Sequence, residues 1–183
     1  MATARKMVVV GVAGSIACYK ACEVVSDLAK MAGVEVRVIM TPEAAQFVSP
    51  LTFQTLSGHR VYRDVFEAPE EWDLLHTSLA MAADLVLLCP ATMNLIGKLA
   101  HGICDDVVTS VVFATKAPVL LVPAMNREMY AHPATQANLA TLKRFGYACV
   151  GPIRGELACG VTGLGHIAEP ADVVKAVQQR MRR

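Results

Sequence analysis

The chain has 183 residues, of which 54% are hydrophobic, and its formal net charge is +1. This length suits one domain with a substantial core, and no apolar run reaches the roughly 18 residues of a membrane-spanning helix. Because the basic residues are scattered, the sequence lacks the broad basic face of a nucleic-acid-binding protein. We therefore expect a single domain over residues 1–183 that binds neither nucleic acid nor a membrane.

The six cysteines form no Cys-x-x-Cys pair and show no spacing typical of a secreted disulfide scaffold. The first residues lead directly into an apolar strand pattern rather than into the core of a signal peptide. We therefore expect a reducing, cytoplasmic setting. The apolar content exceeds what a small monomer needs, so part of it is expected to cover subunit interfaces.

Strand and helix patterns alternate along the chain. Residues 7–12 form an apolar run typical of a strand buried on both faces, and a helical pattern over 16–32 follows. Further strands are predicted over 34–40, 84–89, 119–122 and 147–150, and further helices at Thr41-Pro42 and over 94–101, 106–114, 135–145 and 171–181. The repeated βα units predict an α/β fold, a doubly wound parallel sheet with helices on both faces.

Residues 151–170 interrupt the alternation with five glycines and no clear periodicity. A loop of this length inside a compact domain is usually functional or disordered. Its apolar residues, such as Leu157, Val161 and Ile167, argue against permanent disorder. We therefore predict a mobile lid.

The first turn after a strand contains Gly14 and Ser15. Ser15 could cap the next helix, and the free backbone N–H groups there could bind a phosphate, although many α/β proteins place Gly and Ser at this turn for steric reasons alone. The spacing is not the dinucleotide pattern Gly-x-Gly-x-x-Gly. Thr41 ends the second strand at the same edge of the sheet, so it is a second candidate phosphate contact.

Two later strands also end in small polar residues. Thr92 and Asn94 follow one strand, where they could contact a ligand, cap the next helix, or do both. Asn126 follows another strand, between Met125 and Met129, a pair whose spacing is more often that of core packing. Polar groups at three strand ends nevertheless indicate a polar ligand site at the carboxyl edge of the sheet.

His76 and Cys159 are the candidates for proton transfer. A histidine beside an apolar helix face is often structural, but a neutral imidazole can take up a proton near pH 7. Cys159 lies in the glycine-rich segment, whereas Cys89 and Cys149 end apolar strands, so Cys159 is the best candidate for a reactive thiol. The other histidines show no metal-ligand spacing, and we predict no metal site.

Four blocks of sequence together resemble the homo-oligomeric flavin-containing cysteine decarboxylases. They span nearly the whole chain and comprise residues 14–20, 90–94, 123–130 and 157–170. The last block is similar to the substrate clamp of the phosphopantothenoylcysteine decarboxylases. Departures from the family pattern occur at Thr92, Met93, Leu95 and Tyr130, and in the clamp at Val161 and His166, where Asp and Arg are common.

The resemblance implies a Rossmann-like flavoprotein that assembles as a homotrimer or as an assembly of trimers, with residues 151–170 as the substrate clamp. FMN would be bound by Gly14, Ser15, Ile16, Thr41, Phe53, Thr92, Asn94, Asp106 and Thr109. The substrate, 4′-phosphopantothenoylcysteine, would be bound by Asn126, Met129, Ala158 and Gly160.

The resemblance also implies a mechanism, a decarboxylation that belongs to coenzyme A biosynthesis. The substrate thiol would be oxidised with FMN as the electron acceptor, so that CO2 can leave and an enethiol remains. His76 would act as the base, and Asn126 would hold the departing carboxylate. Cys159 would donate a proton as the electrons return, which gives 4′-phosphopantetheine without net oxidation.

Three other functions remain open on the residues. A decarboxylase of a peptide C-terminal cysteine would share the first three blocks, but it stops at the enethiol and needs no reducing cysteine. A flavin prenyltransferase shares the phosphate turn but is expected to lack the block at 123–130. A non-catalytic regulatory flavoprotein is disfavoured because His76, Asn126 and Cys159 all occur in one short chain.

Overall fold

The protein contains a central five-stranded parallel sheet. The computed structural model describes residues 5–66 and 75–182. The strands of this sheet are β1 (Lys6–Val12), β2 (Val34–Met40), β3 (Leu85–Ala91), β4 (Val119–Pro123) and β5 (Ala148–Cys149). Every residue of β3 and β4 is buried, as expected for central strands covered on both faces. The predicted parallel α/β sheet is therefore confirmed.

The strand order is β2-β1-β3-β4-β5. The chain thus builds outward from β1 in one direction through β2 and in the other through β3. The carboxyl ends of β1 and β3 flank the point where this direction reverses, which is where open α/β sheets leave a crevice for ligands. The sheet topology therefore places the ends of β1 and β3, with their following turns, at the expected ligand site.

Helices cover both faces of the sheet. They are α1 (Cys18–Ala29), α2 (Pro50–Ser57), α3 (Leu75–Ala82), α4 (Met93–His101), α5 (Val107–Ala114), α6 (Arg127–Ala131), α7 (Pro133–Arg144) and α8 (Pro170–Met181). Alternate residues of β1 face opposite layers, so Val8 and Val10 pack with α1, α2 and α8, whereas Val9 packs with α3, α4 and α5. Within the described residues, no helix is long and apolar enough to span a membrane.

Two predictions about local structure are wrong. The pattern at Thr41-Pro42 leads to a short 3-10 helix, Ala44–Gln46, because the Thr41 hydroxyl accepts a hydrogen bond from the Ala44 N–H and closes a tight turn. Residues 151–170 are not an irregular loop: they contain the antiparallel strands β6 (Ile153–Glu156) and β7 (Thr162–His166). The glycines in this hairpin hide the alternation that would have predicted strands. Its mobility stays a prediction.

Candidate functional site

The turn after β1 packs tightly against the segment that follows β2. A Cβ atom at position 14 would lie 2.4 Å from the Cβ of Glu43, so only glycine fits this approach. The Ser15 hydroxyl accepts a hydrogen bond from the Ala17 N–H at 3.2 Å. It does not cap α1 as predicted, because the N-cap position is Ala17 and the serine bond closes the turn before the helix. Thr41 is buried and donates its own N–H to the Val12 carbonyl at 3.0 Å. The ends of β1 and β2 therefore form one wall at the carboxyl edge of the sheet.

The turns after β3 and β4 each begin a helix with a polar cap. The Thr92 hydroxyl accepts a hydrogen bond from the Leu95 N–H at 3.2 Å and caps α4. The Asn126 Oδ1 accepts one from the Glu128 N–H at 2.8 Å and caps α6. Thr92, which was predicted to cap a helix or contact a ligand, and Asn126, which was predicted only to contact a ligand, both cap a helix and line a cavity.

The first cavity, which we call the strand-end cavity, lies where these turns meet. Its volume is about 340 Å³, within the range of small-molecule sites. The predicted site residues that line it are Gly14, Ser15, Thr41, Thr92, Asn94, Asp106 and Met129. Six of the nine residues predicted to bind a cofactor are thus brought together in one place.

The other three predicted cofactor residues do not line the strand-end cavity. Phe53 belongs to α2, and its side chain is completely buried in the core. Thr109 is also completely buried, where it forms a reciprocal capping box with Asp106 at the start of α5. Ile16 lines the neighbouring cavity instead and is half-exposed. Contacts of these three side chains with a cofactor stay predictions.

Lys98 lines the strand-end cavity and was not predicted from the sequence. Its Nζ lies 2.7 Å from the Asp105 carboxylate and 3.1 Å from that of Asp106. Burial alone would lower the pKa of Lys98, but hydrogen bonds to the two carboxylates outweigh burial and raise it. The ammonium is therefore charged at neutral pH. The spacing of four residues between Asn94 and Lys98, which places both on one helix face, was the available signal.

The second cavity, which we call the hairpin cavity, lies between the start of α1, the turn after β4 and the β6–β7 hairpin. Its volume is about 660 Å³. It is lined by Asn126 and by Ala158, Cys159 and Gly160 at the end of the hairpin. Ser15, Ala124 and Met125 line both cavities, which are therefore adjacent.

Two of the predicted catalytic residues meet in the hairpin cavity. The Asn126 Nδ2 donates a hydrogen bond to the Cys159 Sγ at 3.5 Å. Cys159 is exposed, whereas burial raises the pKa of the Cys89 thiol to about 12, with a smaller contribution from Cys18. Cys149, which was expected in the core, is exposed. Cys159 is thus an accessible thiol beside an amide at a strand end, whereas Cys89 is inert.

Close contacts hold the hairpin against the turn after β4. The Met125 N–H donates to the Gly165 carbonyl at 3.0 Å, and a Cβ on Gly165 would lie 2.3 Å from the Met125 carbonyl oxygen. A Cβ on Gly163 would lie 2.6 Å from the Arg127 Cδ. The glycines of β7 therefore allow the strand to approach residues 125–127 closely.

His76 lies apart from the other predicted catalytic residues. It belongs to α3, which packs against α5, and it lines neither cavity. Its Nδ1 atom is buried and has no hydrogen-bond partner among residues 5–66 and 75–182. Within one subunit, Asn126 and Cys159 therefore lie together, whereas His76 lies apart from them. The catalytic role of His76 stays a prediction. No group of three metal-ligating side chains occurs in the described ranges.

Comparisons with known proteins match this arrangement. The family model described as Flavoprotein matches residues 2–182. The chain is 48% identical over 175 residues to the coenzyme A biosynthesis bifunctional protein CoaBC of Bacillus subtilis, covering 96% of this chain but 43% of that protein. It is 42% identical to a probable phosphopantothenoylcysteine decarboxylase of Streptococcus mutans, covering 96% of this chain and 99% of that one.

The fold is similar to that of a PPC decarboxylase mutant solved in complex with pantothenoylaminoethenethiol. The TM-score is 0.89 at 27% sequence identity, with 98% of this chain and 100% of that chain covered. The similarity therefore extends over the whole domain rather than over the sheet alone.

Proposed function

Because the chain belongs to the flavoprotein family, we propose that it uses FMN to decarboxylate 4′-phosphopantothenoylcysteine to 4′-phosphopantetheine, a carboxy-lyase step of coenzyme A biosynthesis. The observation that carries the proposal is the contact between Asn126 and Cys159 in a cavity that adjoins the strand-end cavity. The similarity to the two relatives supports the choice of substrate. With its six unpaired cysteines, the protein is expected to act in the cytoplasm.

The residues of the strand-end cavity fit FMN. The turn at Gly14 and Ser15 presents backbone N–H groups at the start of α1, where a phosphate is favoured. Thr92 and Asn94 add polar groups to the lining of the same cavity. The chain has one such turn and no dinucleotide pattern, which favours FMN over FAD. Bound FMN would supply a two-electron acceptor for the substrate thiol and a donor for the later return of those electrons.

The hairpin cavity suits the substrate. The Nδ2 group of Asn126 can donate a hydrogen bond to the carboxylate, while Ala158 and Gly160 border the remaining chain of the substrate. Met129 lines the strand-end cavity, so it would contact the substrate where the two cavities meet. An apolar wall with few polar groups fixes the orientation of the reacting end.

Cys159 provides the proton for the second half of the reaction. Loss of two electrons and of CO2 converts the substrate to an enethiol. Return of two electrons and two protons gives the saturated thiol: one proton would travel with the electrons as a hydride equivalent, and the other would come from the Cys159 Sγ. The Cys159 thiolate then regains its proton from solvent. The exposure of Cys159 allows that exchange. The substrate therefore loses CO2 without net oxidation.

We also propose a homotrimer, or an assembly of trimers, with FMN near subunit boundaries. Apolar side chains are exposed around both cavities, notably Ile16, Tyr19 and Met129. Exposed apolar side chains grouped around a site are typical of an interface. Since His76 lines neither cavity of its own chain, a boundary position would allow the His76 of one subunit to act in the site of another.

The purified protein is expected to be yellow and to release FMN, not FAD, when it is denatured. Gly14→Ala should lose the cofactor, because its Cβ overlaps Glu43 and moves the phosphate turn. Gly97→Ala is the matched control, since a Cβ there meets nothing closer than 3.7 Å. Absorption spectra measure the flavin content of the two variants, and chromatography identifies the released cofactor. Release of FAD, or failure to load any flavin, contradicts the cofactor proposal.

Incubation of the holoenzyme with 4′-phosphopantothenoylcysteine should release CO2 and form 4′-phosphopantetheine, as detected by mass spectrometry. A protein that loads FMN but turns over only a peptide with a C-terminal cysteine would be the peptide-modifying alternative. A protein that loads FMN and decarboxylates neither substrate would be a binding protein.

Asn126→Asp is expected to remain folded but to lose at least about 100-fold in decarboxylation. A carboxylate oxygen can still accept the Glu128 N–H, so the cap of α6 survives. The donor toward the substrate is lost, and a negative charge replaces it. Asn138→Asp, which makes the same change outside both cavities, is the control. Initial rates measure the activity of both variants, and thermal melting measures their stability. An active Asn126→Asp enzyme would mean that the substrate carboxylate binds elsewhere.

A further inference from the structure

Three side chains connect the hairpin to α1. The Lys20 Nζ lies 3.1 Å from the Nε2 of His166 in β7 and 3.2 Å from both carboxylate oxygens of Glu169. The Nδ1 of the same His166 ring lies 2.8 Å from the backbone carbonyl of Glu156 in β6. The Lys20 side chain is 13% exposed, whereas that of Glu169 is 54% exposed, so the ion pair is buried on the lysine side and open to water on the carboxylate side. The imidazole therefore contacts both strands of the hairpin and the first helix at once.

These contacts define the tautomer of His166. A backbone carbonyl can only accept a hydrogen bond, so Nδ1 must carry the proton. An ammonium can only donate, so Nε2 must offer its lone pair to Lys20. Both conditions are met only by the neutral ring protonated on Nδ1.

The ring is held firmly within the hairpin. Gly155 has no side chain, and a Cβ there would lie 2.9 Å from the His166 Cγ, so the ring packs directly on the β6 backbone. His166 also lines the hairpin cavity, which contains Cys159. Lys20 belongs to α1, the helix that follows the Gly14 and Ser15 turn. The bond from Lys20 to His166 thus spans the distance between the hairpin that carries the thiol and the helix that begins at the phosphate turn.

We propose that His166 is a positioning residue, which fixes the Cys159 hairpin to α1 by accepting a hydrogen bond from Lys20. The inference rests on the proposed decarboxylase function. Without this bond the hairpin opens more often, and the Cys159 thiol is misplaced when the electrons return to the enethiol. Oxidation and loss of CO2 need Asn126 but not the thiol, so the second half of the reaction suffers more than the first.

The experiment compares two variants of the FMN-loaded protein. His166→Gln can present its Oε1 to Lys20 and so replaces the lost acceptor, whereas His166→Leu cannot. Amide hydrogen exchange across residues 153–166 should rise about tenfold or more in the Leu variant, as expected for loss of a hydrogen bond to a charged group, and about threefold at most in the Gln variant. With substrate, the Leu variant should release a larger fraction of enethiol, and the Gln variant a fraction close to that of the unaltered enzyme.

His101→Leu is the matched control, because it makes the same change at an exposed histidine of α4 that lines neither cavity. It should change neither the exchange nor the product ratio. Native exchange and a native product ratio in His166→Leu would overturn the proposal, as would a Gln variant as impaired as the Leu variant.

Nitrogen-15 spectra of the unaltered protein test the tautomer without any substitution, and they decide the matter if the Leu variant does not fold. A protonated Nε2 would overturn the proposal. If the unaltered enzyme decarboxylates nothing, the proposed function fails, while the exchange and nitrogen spectra still decide the role of His166.

Discussion

Cys159→Ser is expected to release an enethiol that lacks the two hydrogen atoms added in the last step to 4′-phosphopantetheine. Serine is close to cysteine in size, and position 159 is exposed, so the fold and the Asn126 contact should survive. A free thiol has a pKa of about 8.5, and a serine hydroxyl is a far weaker acid. Oxidation and CO2 loss should therefore proceed. The enethiol carbon, however, should not be protonated when the electrons return. The variant should accumulate reduced flavin, visible as bleaching during turnover.

Mass spectrometry of the products separates three outcomes. Enethiol from the variant alone supports Cys159 as the proton donor. Normal product from the variant at a near-normal rate would make Cys159 a structural residue of the hairpin. Enethiol from both proteins would indicate the peptide-decarboxylase type of reaction. Cys104→Ser is the control, because Cys104 is also exposed but lines neither cavity.

His76→Asn is expected to retain FMN and to lose about 100- to 10,000-fold in decarboxylation, the usual contribution of a general acid–base group. His76 lines neither cavity, so its replacement should not disturb the cofactor. Its Nδ1 makes no hydrogen bond to the described residues, so the substitution breaks none at that atom. Flavin content and initial rates measure the two effects, and near-normal turnover would remove His76 from the mechanism.

Mixed oligomers test whether His76 acts across a subunit boundary. The inactive variants His76→Asn and Asn126→Asp are unfolded together and refolded as a mixture with FMN. If each site takes His76 and Asn126 from different subunits, some mixed sites contain both intact residues, and activity returns. If one chain supplies both residues, every site keeps one defect, and the mixture stays inactive. Each variant refolded alone is the control.

The sheet and much of the strand-end cavity could be predicted from the sequence. Strands β3 and β4 are short, wholly apolar runs, and such runs in βα units predict a parallel sheet whose carboxyl ends share one edge. Thr92 and Asn126 could be located because both are polar residues that follow a buried strand, where ligands of open α/β sheets bind. Local chemistry and topology together were enough to bring these residues to one edge.

Features that depend on tertiary contacts could not be predicted from the sequence. The hairpin is predicted as a loop because Gly155, Gly163 and Gly165 interrupt the strand alternation. Glycine is required at these positions because a Cβ would collide with His166, Arg127 and Met125, respectively, and those contacts form only in the folded protein. The link between Lys20 and His166 joins residues far apart in the chain. The position of His76 relative to Asn126 depends on how α3 packs, or on a second subunit, and no local pattern encodes either.

With flavin and substrate in the two cavities as proposed, the shared walls would couple the affinities of the two ligands. Ser15, Ala124 and Met125 line both cavities, so a molecule in one cavity would alter the surface that the other molecule meets. Thermodynamic linkage makes this effect reciprocal: the factor by which flavin changes substrate affinity equals the factor by which substrate changes flavin affinity. Where that factor favours joint occupancy, the cofactor dissociates most readily between turnovers, and a cell short of substrate would hold more of this protein in its flavin-free form.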